Sequence, residues 1–250
     1  MAIQLFSPFE SLHFNPEECF LTGKIISFTE EQIPVFPEWL INRYSLKDKT
    51  FTMLEQNIVK YQDLKLPFYT DVFENALNPL EEEIKEAFSD GFEEVKKVPE
   101  VRMFQWMAKL VCGILYHDIV YAIKRQNVKG QKFTISPLLT TKFKILHFML
   151  QSLVVPMEFK GSKPWTIRVV KIKYSKDVFN YKDETNNLNF SLEMNDFGIV
   201  ACLKDNGENG IYHNELTGKI ADKTLYPIQF EELCGRFIHS NHGWQRKSLG

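Results

Sequence analysis

The chain has 250 residues, of which 44% are apolar and 25% are charged, and its formal net charge is −2. This balance is typical of a globular protein and argues against a fibrous or intrinsically disordered chain. The N-terminus lacks a basic stretch followed by an apolar run, and no run reaches the roughly 18 apolar residues that span a bilayer, so we expect a soluble, cytoplasmic protein with no membrane partner. The four cysteines have no paired spacing, which fits a reducing compartment.

The first half of the chain is predicted to be irregular and then helical. Pro79 at a first helical position, followed by three glutamates that suit the positive end of a helix dipole, predicts a helix over 78–88. A broad apolar stripe predicts a long, buried helix over 100–125. Ser136 and Pro137 are typical of an N-cap and first helical residue, and predict a third apolar helix over 136–155. His147 on this helix is expected to be an interior histidine.

The second half changes to the two-residue period of strands. Alternation that changes register predicts a bulged strand over 165–174, and further strands follow at 190–194 and 197–203, joined by a two-residue turn. Another turn leads to 211–213, and we expect these segments to form an antiparallel sheet. An amphipathic helix beginning near Pro227 closes the chain. The predicted class is therefore α+β, with long apolar helices first and a sheet plus closing helix last.

The charges divide the chain unevenly. Turn residues near 126–135 predict a boundary between an acidic region, 1–126, and an α+β region, 127–250, although the two regions could also pack as one domain. A basic segment, 124–182, holds 13 lysines and arginines against 2 acidic residues, a net charge of +11. Such a segment suits the phosphates of a nucleic acid or an acidic protein partner. Solvated faces, together with complementarity to acidic groups of the same chain or of another subunit, are the simpler explanation.

One part of the basic segment combines cations with an aromatic ring. Trp165 could stack on a base beside the surrounding cations, or it could simply fill the core where a strand begins. The candidate nucleic-acid-binding residues are Lys160, Lys163, Trp165, Arg168, Lys171 and Lys173.

Three blocks near the N-terminus carry a family resemblance. They are 18–24, with Cys19 and Thr22; 29–40, with Gln32; and 64–73, with Tyr69, Val72 and Phe73, followed by Leu80 and Glu81. Together they resemble the start of zinc-knuckle HNH endonucleases. In that family a C-x2-C knuckle precedes an acidic residue and a histidine, and a second C-x2-C precedes a helix.

The resemblance implies a degenerate, zinc-free HNH-like unit. Cys19 would be the one zinc ligand retained, because Thr22, Tyr69 and Val72 stand at the other three ligand positions. Gln32 stands at the position of the catalytic histidine and cannot act as a base near neutral pH. Large side chains would pack where zinc once organised the fold. The alternative is an irregular, aromatic-rich region with no such ancestry.

No cofactor or metal site is predicted with a complete set of ligands. Cys234, His239 and His242 form a C-x4-H-x2-H pattern that would hold a metal only if a fourth ligand came from elsewhere. Histidines at a helix end more often face solvent or cap carbonyl groups.

The sequence predicts a non-catalytic binding or assembly protein that uses the basic segment to hold nucleic acid or an acidic partner. One alternative is a divergent, metal-dependent HNH-like nuclease. A second is a small-molecule enzyme of unknown class, for which no residues are nominated.

Overall fold

The computed structural model describes residues 5–26, 32–53, 57–159, 163–176, 178–220 and 223–243, with the side chains of the last helix described through Phe237. The protein belongs to the predicted α+β class. The helices are α1 (Pro8–Ser11), α2 (Glu38–Arg43), α3 (Thr70–Val72), α4 (Asn78–Asp90), α5 (Phe92–Val95), α6 (Glu100–Val128), α7 (Pro137–Leu150), α8 (Gly210–Gly218) and α9 (Pro227–Gly243). The strands are β1 (Gln32–Pro34), β2 (Thr50–Thr52), β3 (Ile58–Lys60), β4 (Lys65–Pro67), β5 (Thr166–Lys171), β6 (Phe179–Glu184), β7 (Asn189–Met194) and β8 (Phe197–Cys202).

The chain divides into two compact units, and the division differs from the predicted one. Unit 1 comprises 1–83 and 105–157, and unit 2 comprises 84–104 and 158–250. Sequence analysis placed a single boundary in the turn after α6. The structure instead changes unit within α4 and within α6, so each of these helices contributes residues to both units.

Unit 1 is built around the buried part of α6. Two small antiparallel sheets accompany it, formed by β1 with β4 and by β2 with β3. Gly113 marks a close approach between the helix and the first sheet, because an added Cβ would lie 2.7 Å from Val35 Cγ2 and 3.1 Å from Leu66 Cδ1. The helix can therefore lie directly against the β1–β4 pair.

A buried lysine joins three elements of unit 1. The Lys109 side chain is 1% exposed, and its ammonium group donates to Pro34 O at 2.9 Å, Val35 O at 2.6 Å and Glu81 Oε1 at 3.0 Å. The other carboxylate oxygen of Glu81 accepts a hydrogen bond from Trp106 Nε1 at 3.0 Å. Three donors meet three acceptors here, which is the condition under which a buried ammonium group is tolerated. Burial lowers the pKa of Lys109, and the Glu81 carboxylate opposes that effect.

The main sheet lies in unit 2 and has the strand order β5-β8-β7-β6, with every pair antiparallel. The predicted turn between 190–194 and 197–203 is confirmed, because Met194 pairs with Phe197 across Asn195 and Asp196. Sequence analysis missed β6. Its six residues are half-buried or exposed, so it lacks the apolar run that reveals a central strand.

Both faces of this sheet are covered within unit 2. On one face, Val170, Ile172 and Val200 pack with a cluster from α8 and α9 that also contains Leu216, Leu225, Phe230, Leu233, Cys234 and Phe237. On the other face, the rings of Phe88 and Phe197 meet edge to face with centroids 4.9 Å apart. Strands β7 and β8 are consequently buried at every position.

Two predictions about the sheet are wrong. The apolar change of register at Val169–Val170 is not a bulge, because β5 pairs with β8 without interruption from Thr166 to Lys171. Apolar residues occupy both faces of β5 because both faces are covered. The segment 211–213, expected to belong to the sheet, lies in helix α8, where Leu216 joins the cluster beside α9.

Helix α6 is long and apolar enough to cross a membrane by length and composition, with a mean hydropathy of 1.3 over its most apolar stretch. Within the structure, 78% of that stretch is buried. Such burial is typical of the core helix of a soluble protein.

We predict that Lys109→Met destabilises the protein by about 3–5 kcal/mol, because it leaves the Glu81 carboxylate buried without its cation. Replacing both partners, as Lys109→Met with Glu81→Leu, should recover part of this loss. Urea unfolding measures the free energies. Lys124→Met on the exposed side of α6 is the control and should change stability by less than about 0.5 kcal/mol. A Lys109→Met protein as stable as the parent would contradict the assignment.

Candidate functional site

We call the residues that carry the HNH resemblance the nuclease-like positions: Cys19, Thr22, Gln32, Tyr69, Val72 and Phe73. Three of them lie around Pro67 in unit 1. Cys19 begins a tight turn in which its N–H donates to Lys24 O at 2.7 Å, and Phe20 N–H, next in the chain, donates to Pro67 O at 2.7 Å. Gln32 is the partner of Pro67 in the β1–β4 pair. Tyr69 follows two residues after Pro67, and the Lys24 ammonium group lies 5.1 Å from the centroid of its ring.

Packed side chains occupy this region. Cys19, Phe20 and Phe68 are each at most 2% exposed, and Val72 is also buried. The remaining nuclease-like positions, Thr22, Tyr69 and Phe73, are half-buried. Among the described residues, none of these positions belongs to a group of metal-binding side chains.

Gln32 borders an open cleft on unit 1. The cleft has a volume of about 390 Å³ and is also lined by Pro34, Glu38, Ile41, Asn42, Lys47, Gln62, Asp63 and Lys65. Gln32 is therefore at a solvent-facing surface, and its amide has no titratable proton near neutrality.

His147 lies at the centre of the aromatic packing, as expected for an interior histidine. It is 0% exposed, its Nε2 lies 2.8 Å from Phe20 O, and its Nδ1 accepts from Gln151 Nε2 at 3.0 Å. This arrangement assigns the proton to Nε2. Burial lowers the pKa of His147 to about 4, so the ring is neutral at physiological pH.

Much of the basic segment is neutralised within the protein. In unit 2, Lys163 pairs with Glu100 at 2.7 Å, Lys171 approaches Glu93 at 3.8 Å, and Lys182 pairs with Glu231 at 2.8 Å. In unit 1, Lys144 pairs with Glu10 at 2.5 Å. Lys160 lies outside the described residues. Sequence counting could not show these ion pairs because their acidic partners lie far away along the chain.

Trp165 is buried, and Arg168 is half-buried and hydrogen-bonded within unit 2. Trp165 is 4% exposed and stacks on Phe104 with ring centroids 4.2 Å apart, so the core interpretation of this residue is correct. The Arg168 guanidinium donates to Ile167 O at 2.6 Å, Gly210 O at 3.4 Å and Asn214 Oδ1 at 2.5 Å. Burial lowers the pKa of Arg168, while the carboxylates of Glu100 and Asp205 oppose that shift.

An exposed surface remains where the end of β5 runs beside the approach to α9. Ile172 forms a parallel bridge with Leu225, both are buried, and the Lys173 ammonium group lies 4.9 Å from the centroid of the Tyr226 ring. We name the surrounding exposed residues the Lys173–Tyr226 surface: Lys171, Lys173, Tyr174, Lys176, Lys223 and Tyr226. Sequence analysis nominated Lys171 and Lys173 but missed Tyr226, because its distance along the chain hides the contact.

A second group of chemically capable side chains lies buried in unit 2. Cys202 ends β8, Asp205 stands in the following turn and His213 lies on α8, and their ligand atoms lie within 4.8 Å of one another. Both ring nitrogens of His213 are buried without a hydrogen-bond partner. Burial lowers the pKa of His213 to about 3, and Arg168 adds to the effect. The C-x2-D spacing of Cys202 and Asp205 at a strand end is the one signal of this group in the sequence, and by itself it indicates only a turn.

Of the other metal candidates, the structure describes only the side chain of Cys234. Cys234 is buried in the α8–α9 cluster, and burial raises its thiol pKa to about 12. The side chains of His239 and His242 lie outside those that the structure describes.

No protein-family model, curated protein or solved structure matches this chain in the three comparisons.

We predict that His147 makes the protein less stable in acid. The unfolded chain gains a proton near pH 6.5, whereas the folded ring gains one only near pH 4. The unfolded state therefore binds more protons between these values, and stability falls as the pH drops through this window, by about 3 kcal/mol in total.

His147→Gln keeps a donor for Phe20 O but cannot titrate, so its stability should fall less over the same window. Urea unfolding above pH 6.5 and near pH 4 measures the difference. His13→Gln, at an exposed histidine, is the control and should follow the parent. Identical pH profiles for His147→Gln and the parent would contradict the prediction.

Proposed function

We propose that this chain is a non-catalytic binding protein that holds single-stranded nucleic acid on the Lys173–Tyr226 surface. The observation that carries the proposal is the exposed Lys173 ammonium group 4.9 Å from the Tyr226 ring centroid. Proteins that bind single strands combine cations that follow the phosphates with aromatic rings on which bases stack. The Lys173–Tyr226 surface offers both kinds of group, from the two neighbouring segments 171–176 and 223–226.

The charge of the surface favours a polyanion as its occupant. Among the described residues, no carboxylate lies within ion-pairing distance of Lys173, Lys176 or Lys223. This distinguishes them from Lys163 and Lys182, whose charges are matched by Glu100 and Glu231. When unpaired lysines neutralise phosphates, the counterions condensed on the nucleic acid are released, and that release favours binding.

The aromatic groups favour single strands over duplexes. Tyr226 is 54% exposed and Tyr174 is 66% exposed, so their rings are available to solvent. In a duplex the faces of the bases are already stacked, whereas single strands offer those faces to aromatic side chains.

We also place the protein in the cytoplasm, because all four cysteines are free thiols.

The first experiment measures the binding of labelled single-stranded DNA and RNA by fluorescence anisotropy over a range of salt concentrations. Replacing Lys173, Lys176 and Lys223 together by glutamine should reduce the slope of log affinity against log salt by about 2, since each phosphate contact to a single strand contributes about 0.7. Tyr226→Ala should weaken binding by about 1–3 kcal/mol at fixed salt.

Two controls match these variants. Lys129→Gln with Lys132→Gln removes exposed lysines elsewhere in the basic segment, and Tyr212→Ala removes an exposed ring on α8. Both should bind as the parent does. The proposal fails if the protein binds no oligonucleotide at low ionic strength, if the controls lose as much affinity as the test variants, or if only an acidic protein or duplex DNA is bound.

For the N-terminal part of unit 1, we propose a degenerate HNH-like scaffold in which packed side chains replace zinc. What supports this is the meeting of Cys19, Gln32 and Tyr69 around Pro67, together with the burial of Cys19 and Phe68. Burial of large apolar groups stabilises a fold by the same order of energy that small metal sites contribute. A divergent nuclease is the alternative, and a small-molecule enzyme of unknown class is a further one.

Nicking of supercoiled plasmid in the presence of Mg²⁺ or Mn²⁺ tests the nuclease alternative. We expect no nicking, because Gln32 supplies no base to activate water. We also expect Cys19→Ser to leave the metal content of the purified protein unchanged. If the protein nicks plasmid and Gln32→Ala abolishes the nicking, the nuclease alternative is correct. If Cys19→Ser removes bound metal, packed side chains have not replaced the zinc.

A further inference from the structure

In unit 2, the side chains of Cys202, Asp205 and His213 are arranged so that they could bind a metal ion. In the β5–β8 register Cys202 is paired with Thr166, and the Thr166 hydroxyl donates to Asp205 Oδ2 at 2.8 Å. Cys202 and Asp205 are therefore brought to the same side of the sheet by the end of β8 and its turn. His213 reaches the same place from α8, where its side chain is 0% exposed.

We propose that Cys202, Asp205 and His213 form a structural site for a divalent transition metal, with zinc as the best match. A thiolate, an imidazole and a carboxylate are all zinc ligands, and two residues separate Cys202 from Asp205, the same separation as in the C-x2-C pairs of zinc sites. Bond lengths of about 2.0–2.3 Å place tetrahedral ligand atoms about 3.5 Å apart. The three atoms here lie within 4.8 Å, so small side-chain rotations bring them into range.

The unpartnered nitrogens of His213 are an independent sign of a missing ligand. A buried polar atom without a hydrogen bond is costly, and native proteins rarely keep one without a reason. His213 has two such atoms, both buried, and its ring stacks on Phe237 with centroids 3.6 Å apart, which fixes the orientation of the ring. A metal bound to one nitrogen would satisfy that atom.

The groups around the site suit metal binding. Gly207 N–H donates to Asp205 Oδ1 at 3.0 Å, and the Thr166 hydroxyl and Asn209 N–H donate to Oδ2, so the carboxylate is held in one orientation. The positive charge of Arg168 opposes a bound cation. Against it, the Cys202 thiolate and the Asp205 carboxylate together bring two negative charges, which match the charge of the metal.

Burial of the three ligands defines the role of the metal. All three side chains are buried, and the fourth position of a tetrahedral metal, for which the described residues show no further ligand of these types, would be taken by a water molecule. The metal would join the end of β8 to α8, as structural zinc joins a turn to a helix in small domains. This role is separate from nucleic-acid binding at the Lys173–Tyr226 surface, and either proposal can fail alone.

The test is metal analysis of the full chain, followed by titration of the metal-free protein with Co²⁺. We expect one equivalent of zinc per chain, a higher melting temperature with zinc than without, and a near-ultraviolet thiolate-to-cobalt charge-transfer band. Cys202→Ser should abolish that band. Thr166→Val preserves the ligands but frees the carboxylate, and it should weaken the affinity for Co²⁺ by about 10–100-fold.

Cys234→Ser and Cys19→Ser are the matched controls, and both should retain the band and the zinc. Protein that contains no zinc and shows neither a cobalt band nor a change in melting temperature would overturn the site. So would a band that persists in Cys202→Ser but is lost in Cys234→Ser, because the metal would then be bound near α9. The measurements on the parent protein need no variant, so a variant that fails to fold does not block the test.

Discussion

The buried ammonium group of Lys109 is the contact on which the packing of unit 1 depends. Its three hydrogen bonds reach Pro34, Val35 and Glu81, and so they hold α6 against the end of β1 and the start of α4. An ammonium group without water must have all its donors matched, which permits only one placement of these elements. Close contact at Gly113 is compatible with that placement because a larger residue would meet Val35.

In unit 2 the corresponding constraint is the continuous register of the sheet. Six consecutive pairs between β5 and β8 bring Thr166 opposite Cys202, and the turn that follows then carries Asp205 back to the Thr166 hydroxyl. Helix α8 begins directly after this turn and presents His213 to the same place. The cluster of metal-binding side chains is thus a consequence of strand pairing and not of any one local motif.

The basic segment, 124–182, shows how a count of charges differs as evidence from the contacts that each charge makes. By count, 124–182 is strongly basic, yet Lys144, Lys163 and Lys182 are matched by carboxylates from other parts of their own units. Lys173, which has no carboxylate partner among the described residues, lies beside Tyr226, which sequence analysis did not associate with it. A binding surface can therefore be predicted from charge only when the partners of each charge in space are known. Screening and ion pairing depend on distances that the sequence does not show.

The sequence by itself determined the α+β class, the presence of the three long helices α4, α6 and α7, and the β7–β8 hairpin, because local periodicity and turn chemistry encode these elements. Only the tertiary structure decided that Lys109 is buried, that β6 exists, that 211–213 is helical and that Cys202, Asp205 and His213 meet. Each of these depends on contacts between residues distant in the chain, and burial by a neighbouring element can override local preference.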